Sequence, residues 1–319
     1  MTRMSRREIL LVHNGASLVG RNACERAVGI LRAGGYDPRP LSAATAQALS
    51  RDLTATLRNA STRIAAVVAV GGDGMVHLVL QSLNRLREQG VEFPFGLIPA
   101  GSGNDLARFH GVPVGDVERA AGRVLRGLES PERSMDLVHV TCADGSHHVC
   151  ATAVCLGLDA RVNARANRWS SVTHSVKYVA ALAVEAVSMR ARRYDLSWTG
   201  PDGACHVSDR TLTFLALTNT SSIGGGLTIV PRADPTDGSG ELFMVSDVGA
   251  LRLAWLFPRL LLGTHESLRE VTVVPATAAT VAAHGISSEP RDAAYGDGER
   301  LGPLPASLKV LPAAVRVLL

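Results

Sequence analysis

The chain has 319 residues, 46% apolar and 19% charged, the profile of a folded soluble protein long enough for two domains. Its net charge of +4 suits an anionic substrate or an anionic membrane surface and is too small to argue for nucleic acid. Five cysteines with no C-x-x-C pair argue against a disulfide framework, and no apolar run is long enough to span a bilayer. The first apolar segment stops at His13, too short for a signal-peptide core, so a cytoplasmic location is expected. Residues 8–13 read as a buried parallel strand ending in Asn14-Gly15-Ala16-Ser17. A helix over 19–32 is stopped by Gly34-Gly35, followed by a strand over 36–41 and a helix over 43–60. The apolar run 64–70 leads through Gly71-Gly72-Asp73-Gly74 into a helix over 76–89. Residues 94–99 form another strand, which runs into Ala100-Gly101-Ser102-Gly103-Asn104-Asp105. Asp105 is the expected N-cap of a helix starting at Leu106, and a further helix covers 117–128. These strand–loop–helix units predict an open parallel α/β sheet. Ligands bind at the carboxyl ends of such strands, the edge that holds the loops at Asn14, Asp73 and Asp105.

After Asp136 the texture changes to short β-type runs separated by Gly, Asp and Pro turns, at 137–141, 147–154, 194–199, 211–218, 240–245 and 271–274. This predicts a second domain over 137–308, an antiparallel β-sandwich or barrel, following an α/β domain over 1–136. Two helical insertions are expected in it, at 161–189 and 251–263. Residues 309–319 read as a strand that returns to either domain.

The glycine loops carry the chemistry. Glycine has no Cβ and tolerates positive φ, so backbone N–H groups can close on an anion, and the following helix adds the positive end of its dipole. Asp73 inside such a loop either holds Mg²⁺ or caps the helix. There is no P-loop lysine motif, no complete dinucleotide fingerprint, no protein-kinase motif set and no G-x-S-x-G elbow. His147-His148-x-Cys150 reads as a hairpin strand, with a metal site as the alternative. Asp297-Gly298-Glu299, taken alone, is a hairpin turn signal.

Gly71-Gly72-Asp73-Gly74 followed by Pro99-Ala100-Gly101-Ser102-Gly103-Asn104-Asp105-Leu106-Ala107-Arg108 closely resembles the catalytic domain of soluble diacylglycerol kinases and their relatives, the sphingosine and ceramide kinases. The resemblance continues at Met135-Asp136-Leu137, Gly157-Leu158-Asp159-Ala160, Gly224-Gly225-Gly226 with Pro231, Ala233 and Asp237-Gly238, and Asp297-Gly298-Glu299. It implies an NAD-kinase-like α/β domain, a β-sandwich domain, and ATP lying between them. Two departures stand out. Asn14-Gly15-Ala16-Ser17-Leu18 replaces the family's Asn-Pro-x-Ser-Gly, and Met75 replaces the Thr that follows its Gly-Gly-Asp-Gly.

The resemblance further implies that Asn14, Ser17, Gly71, Gly72, Asp73, Gly74, Gly101, Ser102 and Asn104 bind the nucleotide. Asp73, Asp105 and Asp136 would hold Mg²⁺, partly through water, with Glu299 as general base and Asp297 orienting it or a metal. Asp234, Asp237 and the carbonyl of Ser239 form an implied structural metal site, an acidic turn being the alternative. The expected acceptor is a lipid alcohol, diacylglycerol first. Trp255 and Phe257, and Arg161, Arg165, Arg168 and Lys177 beside Trp169, are candidates for meeting lipid or an anionic membrane face. Core packing or a homodimer contact competes for both groups. NAD, a soluble specialised alcohol, and nucleotide or lipid sensing without catalysis are the alternatives.

Overall fold

The computed structural model describes residues 7–59, 63–130, 133–156, 191–249, 252, 258–260, 262–285 and 293–319. Gly157-Leu158-Asp159-Ala160, the insertion expected at 161–189, and Trp255 and Phe257 lie outside the described residues. The chain divides into two compact units, Met1–Met135 with Ala313–Leu319, and Asp136–Pro312.

The first unit alternates strand and helix: β1 (Glu8–His13), α1 (Leu18–Ala33), β2 (Asp37–Leu41), α2 (Ala46–Asn59), β3 (Ile64–Gly71), α3 (Asp73–Arg87), β4 (Phe95–Pro99), α4 (Asp105–Phe109) and α5 (Val117–Glu129). Its strands are parallel in the order β2-β1-β3-β4, with Val317 of the chain's last strand beside Phe95. Every residue of β1 and β4 is buried, and all of β3 up to Val70, because helices cover both faces of a parallel sheet. The helices present matching stripes: Leu49, Leu53 and Leu57 on α2, and Ala23, Cys24, Ala27 and Leu31 on α1. Burial pushes the Cys24 thiol up to about 11, so it packs as a small apolar group. Glu8, buried at the head of β1, is neutralised by Arg39 at 3.1 Å and Arg63 at 3.2 Å.

Two expected helix starts move. α3 begins at Asp73, not at residue 76, with Gly72 as N-cap, so the glycine loop is already the helix's first turn. α4 begins at Asp105, so the expected cap role of Asp105 is corrected. The N-cap is Asn104, held in the left-handed region at φ 57°, a conformation Asn tolerates better than most residues.

The second unit is antiparallel throughout its described pairings. It contains β5 (Arg133–Cys142, entering from the first unit), β6 (His147–Cys150), β7 (Ala153–Leu156), β8 (Arg192–Thr199), β9 (Cys205–Thr218), β10 (Ser222–Ile223), β11 (Leu227–Thr228), β12 (Gly240–Ser246) and β13 (Val271–Ala276). After these come β14 (Ala278–Ala283), β15 (Ala293–Gly296), β16 (Glu299–Pro303) and β17 (Ala306–Val317), whose end belongs to the first unit. Its pairing path is β16-β15-β7-β9-β8-β14-β17, with β12 joining β9 to β13. β12 shows how the core is shared. Leu242 and Met244 pack in one apolar cluster with Leu215 and Leu217, while Phe243 and Val245 pack in another with Ile229 and Val230. Successive strand residues point to opposite faces, so one strand serves both cores.

A Cβ added at Gly127, in α5, would lie 2.8 Å from Leu318 Cα. Glycine to alanine in a helix ordinarily stabilises; here Gly127→Ala should destabilise by about 1–3 kcal/mol, read as a lower urea midpoint. Burial, with the charges of Arg123 and Arg133, pushes His110 down to about 4. A depressed histidine contributes stability that is full above its unfolded value near 6.5 and is lost as pH falls toward 4. The urea midpoint should therefore drop between pH 6.5 and 4, and His110→Gln should flatten that drop.

Candidate active site

The loops at the carboxyl ends of β3 and β4 are one body. The Asp73 carboxylate accepts the backbone N–H of Asn104 on Oδ2 and that of Asp105 on Oδ1, both at 2.8 Å. Ala100 N donates to Gly71 O at 2.9 Å. A Cβ on Gly72 would lie 2.9 Å from Gly101 Cα, and one on Gly103 would strike Asp73 Oδ2. The close approach of the loops therefore requires glycine at these positions. Asn104 completes the second loop: its Oδ1 accepts from Gly101 N at 3.1 Å and its Nδ2 donates to Gly101 O at 2.8 Å. Both ends of this side amide thus bond its own loop. Ser102 is exposed at the tip, and Gly74 is exposed in the first turn of α3. The Asp73 carboxylate, carried on the first turn of α3, satisfies amides at the start of α4.

The loop after β1 is separately braced. Asn14 Oδ1 accepts from Ala16 N at 2.9 Å, and Ser17 Oγ accepts from Gly20 N at 3.1 Å as N-cap of α1. Ser17 thus holds a helix start, and Leu18, in the family's glycine position, is 62% exposed.

In the second unit, Asp297 and Gly298 form the two-residue loop of the β15–β16 hairpin, where Gly296 pairs with Glu299. Both have positive φ, 50° and 85°, as a tight hairpin of this type requires. Asp297 pays for that conformation with buried bonds. Its Oδ2 accepts from Ala151 N at 2.9 Å, and its Oδ1 accepts from Thr152 N at 2.9 Å and Thr152 Oγ1 at 2.6 Å. Glu299, next along, is exposed. Asp136 is 1% exposed and its Oδ2 accepts from Gly238 N at 2.7 Å. Asp234 Oδ1 accepts from Thr236 N and Oγ1, and Asp237 Oδ1 from Ser239 N and Oγ, so both acids shape local turns. Cys150 is wholly buried. Burial, then the Asp297 charge, holds its thiol well above the ordinary range, so it remains a protonated packing group. Thr152 and Ala151, which grip Asp297, carry no motif or spacing that singles them out in the sequence.

The donor chemistry fits Mg²⁺ in an indirect form. Asp73 and Asp136 supply hard carboxylate oxygens, each already accepting backbone N–H groups. Mg²⁺ keeps several waters and binds through few carboxylates, so each of these acids, taken within its own unit, suits contact through water.

The chain thus comprises an α/β unit with joined glycine loops and an antiparallel β unit. Residues 9–140 match the family described as the diacylglycerol kinase catalytic domain, and residues 152–319 match the YegS C-terminal NAD kinase beta sandwich-like domain. The chain is 35% identical over 253 residues to the diacylglycerol kinase of Mycobacterium tuberculosis (strain ATCC 25618 / H37Rv), covering 79% of this chain and 76% of that protein. It is 27% identical over 258 residues to the "Probable lipid kinase YegS-like" of Stenotrophomonas maltophilia (strain K279a), covering 79% and 77%. A diacylglycerol kinase structure from Bacillus anthracis str. Sterne superposes with TM-score 0.68 at 16% identity, covering 98% of this chain and 96% of that one, a likeness of fold alone. The chain belongs to the diacylglycerol kinase family of lipid kinases, and is a phosphotransferase acting on an alcohol group. Among the described residues, no helix is long and apolar enough to cross a membrane.

Asp73→Asn would set an amide N–H₂ against one of the two donors it now accepts. Thermal unfolding should report a loss of about 1–3 kcal/mol. Gly101→Ala, which drives a Cβ into Gly72, should weaken binding of an ATP analogue, whereas Gly29→Ala, in α1 with open space around it, should leave binding unchanged in the same titration.

Proposed function

We propose that the chain transfers the γ-phosphoryl group of ATP to the hydroxyl of a lipid alcohol, diacylglycerol being the first acceptor. The observation that carries this reading is the Asp73 clamp on Asn104 and Asp105. It joins two glycine loops into one braced rim at the edge where parallel sheets hold ligands. Phosphoryl transfer needs positioning and charge neutralisation more than covalent help, and such a rim supplies positioning. The lipid acceptor rests on the family and on the 35% identity to a diacylglycerol kinase.

In this reading the backbone of Gly71 to Gly74 and the loop from Asn14 to Ser17 cradle the phosphates. Gly101 and Ser102 flank them, and Asn104 keeps the second loop in shape. Asp73, Asp105 and Asp136 hold Mg²⁺, largely through water. Bound there, the ion neutralises phosphate charge. Asp234, Asp237 and the Ser239 carbonyl form a separate structural cation site. Glu299 takes the acceptor's hydroxyl proton as that oxygen bonds the γ-phosphorus. The bond to the β–γ bridging oxygen breaks, and its electron pair leaves with ADP. Asp297 holds the turn that aims Glu299. An anionic membrane face is the expected source of the acceptor.

The test is transfer of label from γ-labelled ATP with Mg²⁺ to diacylglycerol, sphingoid bases, a total lipid extract and NAD in parallel. Label in a lipid supports the reading; label in NAD alone, or in no acceptor, overturns it. Asp73→Ala and Glu299→Gln should each lower turnover by about 100-fold or more. Full activity in both would sink the site assignment.

A further inference from the structure

Asn219 is 1% exposed, follows the end of β9, and belongs to no motif used so far. Its Nδ2 donates to Asp136 O at 2.8 Å and to Ala151 O at 2.9 Å. Its backbone N–H donates to Thr152 O at 2.8 Å, and that of Thr220 donates to the same carbonyl at 3.1 Å. Both side-chain partners are carbonyl oxygens, so the amide must face them with its two N–H groups; the reverse orientation would oppose oxygen to oxygen.

Each partner has a second engagement. Asp136 donates its N–H to Pro235 O at 2.7 Å and accepts Gly238 N on its carboxylate. Ala151 and Thr152 donate the three bonds that hold the Asp297 carboxylate. Asn219 therefore bridges the open end of the β5–β6 hairpin, from the start of the unit at Asp136 to the bend that grips the Asp297-Gly298 loop. Asp136, Ala151, Thr152, Asn219 and Asp297 are all buried, where each bond resists replacement by water.

We propose that Asn219 is a positioning residue for phosphoryl transfer, setting through Ala151 and Thr152 where the Asp297-Gly298-Glu299 turn stands relative to Asp136. This rests on the reading of Asp297, Glu299 and Asp136 as reaction machinery. Side-chain volume at 219 is not what matters in this account. Its two N–H groups are, and Asp is the replacement that keeps the shape and loses them.

The experiment compares Asn219→Asp, Asn219→Ser and Thr152→Val with Asp297→Asn, in steady-state kinetics on the acceptor found above, with folding followed by thermal unfolding. Asn219→Asp and Thr152→Val should each lower kcat about tenfold or more while KM for ATP stays within about twofold, because geometry at the reacting groups is lost and nucleotide binding is not. Asn219→Ser, a smaller partial donor, should fall between wild type and Asn219→Asp. Combined with Asp297→Asn, Thr152→Val should add little further loss, since both act through one turn. Folded Asn219 variants with wild-type kcat, or a Thr152→Val loss that multiplies fully with Asp297→Asn, would overturn the proposal. If the Asn219 variants do not fold, Thr152→Val decides, and an unchanged kcat rejects it. Wild-type kcat in Asp297→Asn would instead reject the underlying reading of the site.

Discussion

Two N–H groups ending on one carboxylate hold the first unit's functional edge together. Asp73 stands in the first turn of α3, and its charge satisfies Asn104 and Asp105 at the start of α4. A helix start leaves N–H groups without partners, and a negative group there is favoured by the dipole as well. The acid is thus bound electrostatically to both helices. Gly72, Gly101 and Gly103 are the steric condition for that bond, because a Cβ at any of them enters the space of the opposite loop. The result is a loop pair braced by its own hydrogen bonds, which lowers the cost of ordering it when a ligand binds.

The second unit uses the same device under a different constraint. Asp297 sits in a conformation that non-glycine residues rarely adopt, and three buried bonds from Ala151 and Thr152 offset that strain. Glu299 follows directly and stays exposed. One acid is consumed in holding the turn and the other is left available to solvent. The division follows from burial and donors, since both residues are carboxylates a single glycine apart.

Much of the architecture is legible in the amino-acid order. Continuous apolar runs at 8–13 and 64–70 can be buried only between two helical layers, and the short turn-bounded runs after Asp136 read as antiparallel strands. Helix starts are less legible. Gly-Gly-Asp-Gly looks like loop because glycine is a poor helix former, yet the first turn tolerates it, and α3 begins inside the motif. Asp105 looks like an N-cap, but the backbone turns one residue earlier, at Asn104.

The candidate site divides in the same way. Asp73, Asn104, Asp136 and Asp297 stand out in the sequence as residue types at telling positions. Their partners do not: Thr152 and Asn219 lie in strand-flanking segments with no spacing that marks them. The sequence alone determined the strand and helix periods, the two-part organisation and the family, because hydrophobic periodicity and short glycine motifs are local properties of the chain. Only the tertiary structure decided which carboxylates are spent on backbone N–H groups. A hydrogen bond between residues such as Thr152 and Asp297, 145 positions apart, exists only once the strands that carry them have paired.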